Sequence, residues 1–368
     1  MTLDDLKPSR EITGYGVSVD NVNEALPLGL GLVFANGVPV CSRGLETLEV
    51  PGPVMTVYRN PTRRVLFDEV RDANPFFHLI ESLWILAGDN GVALPRMFLD
   101  RIADFSDNGK TFHGAYGHRL RASFGFDQLT RVVTLLREKP DTRQAVLSIW
   151  DPRLDLGATT KDTPCNDLIM LRIQRGKLNM TVCCRSNDVV LGAYGANVVQ
   201  FSMLLEWIAA MVGVEVGTYI QMSNSYHVYT DNPFWTAFKA GAHDSGHVHN
   251  PYMDPEVQPY PLANTPAEAD QVAIDCFRMV TRANAGIHLF GNEYHENAGP
   301  DELGYASNFF VDVVVPIVDA YEKYKAKNYT KALETLTYCH AADWRLACSA
   351  WVLRRKEKHD AKVAAGGV

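Results

Sequence analysis

The sequence predicts an α/β (α+β) protein: a large mixed, mostly antiparallel sheet flanked by helices, with a helical C-terminal extension. Three observations carry that reading. The run LIMLRIQ, the turn RGK and the run LNMTVCCRS form two strand-like segments around a tight turn, the signature of an antiparallel hairpin. Long apolar stretches at helical spacing bracket it, FFHLIESLWILAG before and VVQFSMLLEWIAAMVGV after. From about Thr265 to Asp360 the chain turns helical in pattern (FFVDVVVPIVDAYEKY, ALETLTYCHAADWRLACSAWVLRRKEK). Residues 1–264 are therefore read as one domain, and residues 265–368 as a mostly helical extension packed on it.

Composition bounds the function. A chain of 368 residues, 46% hydrophobic, can bury a sizeable core. A net charge of −8 excludes a broadly basic surface, so nucleic acid is not expected as a direct partner. A local cationic pocket for one phosphate remains compatible with it. Seven scattered cysteines with no C-x-x-C pair point to a reducing cytosol rather than a disulfide scaffold. The acidic start MTLDDLKPSREITGYG is not a secretory leader, and no uninterrupted apolar run reaches the roughly 18 residues of a membrane span. A soluble cytoplasmic protein is expected. His247 and His249 lack further ligands at zinc-like spacing and are read as loop, so no metal is expected.

In order, the first 70 residues mix short extended runs with Gly/Pro punctuation. Ser42-Arg43-Gly44 followed by LETLEVPGPVMTVY reads as a loop feeding a strand or hairpin. Asn74-Pro75 opens a helix that Gly88 stops, with asparagine as cap and proline in the first turn. Phe77, Ile80, Glu81 and Trp84 share one face of it, and a carboxylate on an apolar stripe is costly unless it is paired, solvated or functional. Residues 101–124 are loop-rich around Gly114-Ala115-Tyr116-Gly117. A helix DQLTRVVTLLREKP and a strand QAVLSIW follow, with Arg143 exposed in the link between them. After the hairpin and the long apolar helix, GTYIQMSNSYHVY reads as a strand ending in His227-x-Tyr229, before a Pro/Gly/His-rich stretch over 231–265.

The chemistry concentrates between Asp162 and Asn197. Cys165 sits in a Pro-Cys-Asn turn, where it is partly exposed. A sulfur nucleophile acts as thiolate, which a nearby cation favours. Arg185 returns toward it along the hairpin, and Ser186 adds a hydroxyl suited to the same phosphate. A Gly-rich loop ending in Asn197 then opens the apolar helix.

The order Pro-Cys-Asn, Arg-Ser-x-Asp, Leu-Gly, Asn and His-x-Tyr resembles the thymidylate synthase superfamily, including the phage deoxycytidylate and deoxyuridylate hydroxymethylases. The pieces that carry it are ESLWILAGD, GAYGHRLR with DQL, DTRQAVLSIWDP, DTPCN, CRSNDVVLG and NSYHVY, from about Arg43 to Leu262. The resemblance implies a thymidylate-synthase-like fold that dimerises through the sheet face. It implies that Cys165 adds to carbon 6 of a pyrimidine, making carbon 5 a nucleophile for the methylene carbon of 5,10-methylenetetrahydrofolate. Glu81 would manage ring protons through ordered water, and Tyr116 would assist proton removal from carbon 5. Arg43, Arg185 and Ser186 would hold the nucleotide phosphate, joined by Arg143 from the second subunit. His227 and Tyr229 would bind the sugar hydroxyl. Asp188 would face the pterin, Trp84 and Phe105 would lie on the folate side, and Asn197 would read the base, its amide offering both donor and acceptor.

The chain departs from the superfamily pattern in four places. The C-terminus does not resemble the short segment that closes over the folate, which favours water over hydride at the exocyclic methylene intermediate. LGAYGAN is one residue longer than usual, so a strict count places Ala196, not Asn197, at the base. Gln144 and Cys184 replace an arginine and a glutamine by the phosphate. Asn166 follows the nucleophile where histidine is common, and Phe105 stands near where an indole commonly packs. The expected activity is therefore folate-dependent hydroxymethylation of dUMP or dCMP, with dTMP synthesis as the alternative. A catalytically silent homologue that binds a nucleotide or a partner is a third reading.

Overall fold

The sheet assembles from segments far apart in the chain. The structure, a computed structural model, describes residues 14–42, 44–241, 250–290 and 304–365; Arg43, His247 and His249 lie outside them. Its strands are β1 (Tyr15–Val19), β2 (Val38–Ser42), β3 (Leu45–Glu49), β4 (Val54–Tyr58), β5 (Val146–Ser148), β6 (Asn166–Gln174), β7 (Lys177–Asp188) and β8 (Glu215–Tyr229). They form one eight-stranded sheet in the order β1-β4-β8-β7-β6-β5, with the β2–β3 hairpin joined through β3 to β8. The β1–β4 and β7–β8 pairs run parallel and the other pairs antiparallel, so the sheet is mixed and mostly antiparallel. The predicted hairpin is β6–β7. Arg175 (φ 53°) and Gly176 (φ 75°) take the left-handed conformations that a two-residue hairpin turn needs.

The helices are α1 (Val22–Asn36), α2 (Pro75–Ala87), α3 (Ala93–Phe98), α4 (Tyr116–His118), α5 (Gln128–Glu138), α6 (Pro152–Asp155), α7 (Asn197–Val212), α8 (Pro233–Lys239), α9 (Pro266–Asn284), α10 (Val315–Lys325), α11 (Tyr329–Leu336) and α12 (Ala342–Ala364). In α2, Asn74 accepts from the Phe77 N–H, Pro75 starts the first turn and Gly88 (φ 79°) ends the last, as its sequence predicts. The sequence reading of the first 70 residues contains no helix, and α1 is the correction. Pro27 and two glycines mask its pattern, yet the glycine at 29 is a packing requirement. A Cβ at Gly29 would collide with the Tyr194 ring and the Tyr226 hydroxyl.

The two faces of the sheet differ. Ile169, Leu171, Leu178, Met180, Val182 and Tyr219 are buried on the face covered by the helices. On the other face the register lines up Val146–Met170–Thr181–Ile220–Val57 and, next to it, Leu168–Cys183–Met222–Met55. Val146, Leu168, Met170, Met222 and Met55 on this second face are all exposed, a contiguous apolar patch. The run Val189–Val212 is long and apolar enough to cross a membrane by composition, but 83% of its apolar window is buried inside the fold.

The residues after 265 share the core instead of building their own. Thr265 caps α9 through the Glu268 N–H, and the indole of Trp207 in α7 donates to Ala269 O at 2.8 Å. Trp351 of α12 packs edge-on against Phe76 in the first turn of α2. Arg354, Arg355 and Lys358 of α12 converge on Asp72 just ahead of it.

Candidate active site

Cys165 ends the loop that leads into β6 and is half-buried. Arg185, on β7, reaches across the hairpin: its backbone N–H donates to Cys165 O at 2.9 Å. Its guanidinium donates to Pro164 O (2.8 Å) and Thr163 O (3.1 Å), and Nη2 lies 3.9 Å from Cys165 Sγ. The guanidinium also stacks over Trp150, 5.5 Å from the ring centre. The cation is thus fixed beside the sulfur, where it stabilises negative charge. Nη1 makes no hydrogen bond among the described residues, which leaves a donor for an anion. Ser186 follows, opposite Ser225 in the β7–β8 register.

A cavity of about 250 Å³ is lined by Glu81 and Trp84 of α2, Tyr116, Asp162 and Asn197, with Phe105 at its rim. Cys165, Arg185, Ser186, His227 and Tyr229 are not in that lining, and the link to the sulfur runs through Tyr116, whose phenol feels Cys165. Burial of Glu81 pushes its carboxyl up to about 7, a hydrogen bond from Gln200 Nε2 (2.7 Å) pulls it back, and the charge of Asp162 raises it. Burial likewise drives the Tyr116 phenol well above its usual range, assisted by Cys165 and Cys184, so the ring stays neutral. Trp84 turns its indole N–H to Asp89 at 3.2 Å and packs edge-on against Phe112. Phe105 is 55% exposed, an aromatic side chain open at the cavity rim.

A row of amides joins the sulfur loop to the helix start. Asn166 Nδ2 donates to the Tyr116 hydroxyl (3.0 Å) and to Asn197 Oδ1 (3.3 Å). Asn197 Nδ2 donates to Asn187 Oδ1 (3.1 Å), whose own amide donates to Ser223 Oγ (2.9 Å). Gly192 lets Asn187 approach, since a Cβ there would sit 2.8 Å from Asn187 Oδ1. The segment Val189–Ala196 winds as a π-helix before α7. That wider turn takes up an extra residue without moving the helix that follows, as single-residue insertions in helices do. Ala196 and Asn197 both line the cavity, but only Asn197 brings hydrogen-bonding atoms to it.

His227 and Tyr229 sit together at the end of β8, their rings 5.4 Å apart and perpendicular. His227 Nδ1 lies 3.1 Å from Ser225 Oγ, which donates to Glu49 Oε2 at 2.6 Å. This chain of contacts leaves Nε2 as the ring nitrogen with no hydrogen bond among the described residues. Asp188, opposite His227 in the register, does not line the cavity. Its Oδ1 caps the π-helix by accepting from Val190 N (2.7 Å) and Leu191 N (3.2 Å), while Oδ2 is buried with no hydrogen-bond partner. Burial raises the Asp188 carboxyl against those bonds. Arg143 is exposed ahead of β5 and has no hydrogen-bond or ion-pair partner among the described residues, so the chain alone does not bring it to Cys165. Among the described residues no group of three His, Cys, Asp or Glu gathers to hold a metal ion.

Two cavity residues escape the sequence reading. Gln200 holds Glu81, and its signal was present: a lone amide three residues after Asn197, one helical turn on, in an otherwise apolar first stretch of α7. Asp162 belongs to the DTPCN run, but nothing in the pattern points its side chain into the cavity.

The family model described as thymidylate synthase matches residues 69–249. A deoxyuridylate hydroxymethyltransferase of Pseudomonas phage M6 is 40% identical over 357 residues, spanning 95% of this chain and 96% of its own length. A protein of the same name from Bacillus phage SP01 is 42% identical over 214 residues, 55% of this chain and 56% of its own. A putative thymidylate synthase of Methanothermobacter marburgensis is 32% identical over 222 residues, 59% of this chain and 94% of its own. Among solved structures, thermostable thymidylate synthase A from Bacillus subtilis aligns with a TM-score of 0.48 at 27% identity, over 57% of this chain and 80% of that one.

Proposed function

This chain belongs to the thymidylate synthase superfamily, and from that premise we propose that it hydroxymethylates carbon 5 of deoxyuridine monophosphate. The observation that carries the choice of product is likeness across 95% of the chain, helical extension included, to a protein named deoxyuridylate hydroxymethyltransferase. The cosubstrate is 5,10-methylenetetrahydrofolate, which supplies the methylene carbon. The cavity suits its flat ring system: Trp84, Ile102, Phe105 and Phe112 offer apolar and aromatic walls. Within that lining Gln200 Oε1 is a buried acceptor with no hydrogen-bond partner among the described residues, in need of an N–H or a water; Asp188 Oδ2 is another such acceptor, outside the cavity.

In this reading Arg185 and Ser186 hold the nucleotide phosphate, with Arg43 from the same chain and Arg143 from a second subunit. Cys165 bonds to carbon 6, and the electron pair displaced from the ring double bond makes carbon 5 nucleophilic. Glu81, poised near neutrality, exchanges protons with the ring carbonyl through water. Tyr116, a neutral phenol held by Asn166, relays the proton lost from carbon 5. His227 Nε2 and Tyr229 receive the sugar hydroxyl. Asn197 reads uracil, its Oδ1 accepting from the ring N–H and its Nδ2 donating to the adjacent carbonyl.

A dimer completes the site. The exposed apolar rows of the sheet are what a second copy would cover, and sheet-to-sheet contact is the route by which Arg143 can serve a neighbouring phosphate. The substrate is a free nucleotide, so neither nucleic acid nor membrane is a partner. The enzyme is cytoplasmic, in the host's cytoplasm if it is phage-encoded.

The second reading, synthesis of dTMP, is favoured by the match of residues 69–249 to the thymidylate synthase model. Incubating the purified enzyme with dUMP, then with dCMP, and methylenetetrahydrofolate separates the two. Hydroxymethylation yields 5-hydroxymethyl nucleotide and tetrahydrofolate. Appearance of dihydrofolate with a methylated nucleotide would reject it, since only the reductive route oxidises the folate.

A further inference from the structure

We propose that Asp162 is a further catalytic residue: the general base that deprotonates the water adding to the exocyclic methylene of the pyrimidine. This rests on the hydroxymethylation reading above. A hydride-transferring enzyme has no need of such a base, whereas a water-adding one must take a proton from water as its oxygen attacks.

The placement of Asp162 supports the role. Its side chain lines the same cavity as Glu81, Tyr116 and Asn197, three residues before the nucleophile. Gly114 N–H donates to Asp162 Oδ2 at 2.8 Å, which orients the carboxylate. The Gly114 turn also packs directly on the 162–164 backbone: a Cβ on Gly114 would lie 2.7 Å from Asp162 O and 2.9 Å from Pro164 N. Oδ1 makes no hydrogen bond among the described residues, so it is open to a water. The charge of Asp162 is felt by both Glu81 and Tyr116, which puts all three groups around one space. Burial raises its own carboxyl against the pull of the Gly114 N–H, His113 and Arg119, and that makes the anion more basic.

The division of labour follows. Glu81 is tied to Gln200 and serves the ring carbonyl, which leaves the exocyclic carbon without a base unless Asp162 provides one. In the step itself, a water oxygen lone pair forms a bond to the methylene carbon. One water proton passes to Asp162 Oδ1, and the methylene π electrons move through carbon 5 onto the carbonyl oxygen. Collapse of that enolate expels the Cys165 thiolate from carbon 6 and restores the ring double bond. No oxidant or reductant is consumed, and the Asp162 proton returns to solvent.

The test compares wild-type enzyme with Asp162→Asn, a variant that keeps an acceptor for Gly114 N–H. Two outputs are followed with dUMP tritiated at carbon 5: release of tritium to water, which reports the steps through loss of the carbon 5 proton, and formation of 5-hydroxymethyl-dUMP. With 2-mercaptoethanol present to intercept the methylene, the expected result is tritium release close to wild type, 5-hydroxymethyl-dUMP reduced roughly hundredfold, and the missing product recovered as a thioether at the methylene. Parallel loss of both outputs, or no change in either, overturns the proposal. Acetate supplied to Asp162→Ala gives a second measurement: it should restore product without altering tritium release, and failure to do so counts against Asp162 as base. If wild-type enzyme instead produces dihydrofolate, the hydroxymethylation reading falls and this inference with it, an outcome visible before any variant is made.

Discussion

Replacing Gln200 with leucine should move the acid limb of the pH profile upward. In the native site the Glu81 carboxyl sits at about 7 because burial disfavours its anion, and the 2.7 Å bond from Gln200 Nε2 opposes that effect. A hydrogen bond to a charged group contributes about 1.5–3 kcal/mol where water cannot substitute freely. At about 1.4 kcal/mol per pH unit, losing it raises the Glu81 pKa by about 1–2 units. The sign is fixed by which form the bond favours: it stabilises the carboxylate, so its removal favours the acid. At pH near 7 the ionised fraction then drops from about a half to about a tenth or less. The assay is kcat/KM for tritium release from carbon 5 of dUMP, followed from about pH 5.5 to about pH 9. An acid limb that stays in place while the rate falls evenly at every pH would refute the argument and reduce Gln200 to a packing residue.

Other outcomes follow from the same geometry. Cys165→Ala should abolish the covalent nucleotide adduct seen by mass spectrometry under denaturing conditions, and an adduct that persists would relocate the nucleophile. Glu81→Gln should stabilise the fold in alkaline buffer. A carboxyl raised from 4.5 to about 7 on folding loses stability for the protein as pH climbs through that window, amounting to about 3 kcal/mol above it, so the variant's gain in Tm should be large at pH 8 and vanish near pH 4. Met170→Lys puts a charge in the middle of the exposed apolar rows; sedimentation should show a dimer weakened by at least about a hundredfold if that face is the interface. Asp72→Ala removes the carboxylate shared by Arg354, Arg355 and Lys358 and should cost about 1–3 kcal/mol in urea unfolding. Burial opposes ionisation of Asp72, but the arginine bonds outweigh it and hold the pKa low, so its contribution is present at neutral pH and fades only as pH falls through that lowered value.

What the sequence made legible was local. The cap, stop and apolar face of α2 are all written within the 75–87 window, and the β6–β7 hairpin announces itself by its turn. Cys165, Arg185, Glu81 and Tyr116 can be singled out as candidates from the sequence because their motifs are short and contiguous. The illegible parts depend on partners distant in the chain. Nothing near residue 29 says that Tyr194 and Tyr226 will press on α1, so its glycines look like breakers. The parallel β7–β8 pairing, which sets Asp188 beside His227, joins segments whose register only the folded sheet defines. Counting along LGAYGAN points to Ala196 at the base, but a π turn changes how many residues one turn consumes, so the count does not carry over to the fold.

The C-terminal extension is best understood as a brace for the cavity walls. Among the described residues, its contacts fall on the backs of the elements that carry the site and none of its residues lines the cavity. Trp351 packs on the first turn of the helix that presents Glu81. Asn284, at the end of α9, donates to Asp89 Oδ2 at 3.3 Å, the same oxygen that receives the Trp84 indole N–H. Asp72, gripped by α12, neighbours Arg71, whose Nε donates to Val190 O at 2.8 Å inside the π turn ahead of Asn197. Each link runs from a helix of the extension to an element that carries a cavity-lining residue: directly onto α2 at Phe76, through Asp89 to Trp84, and through Asp72 and Arg71 to the turn ahead of Asn197. A wall held from behind keeps its shape without a cover in front, and among the described residues the rim at Phe105 stays exposed. On the proposed hydroxymethylation, water must reach the exocyclic methylene and an exposed rim serves that step, whereas a hydride-transferring enzyme must exclude water there.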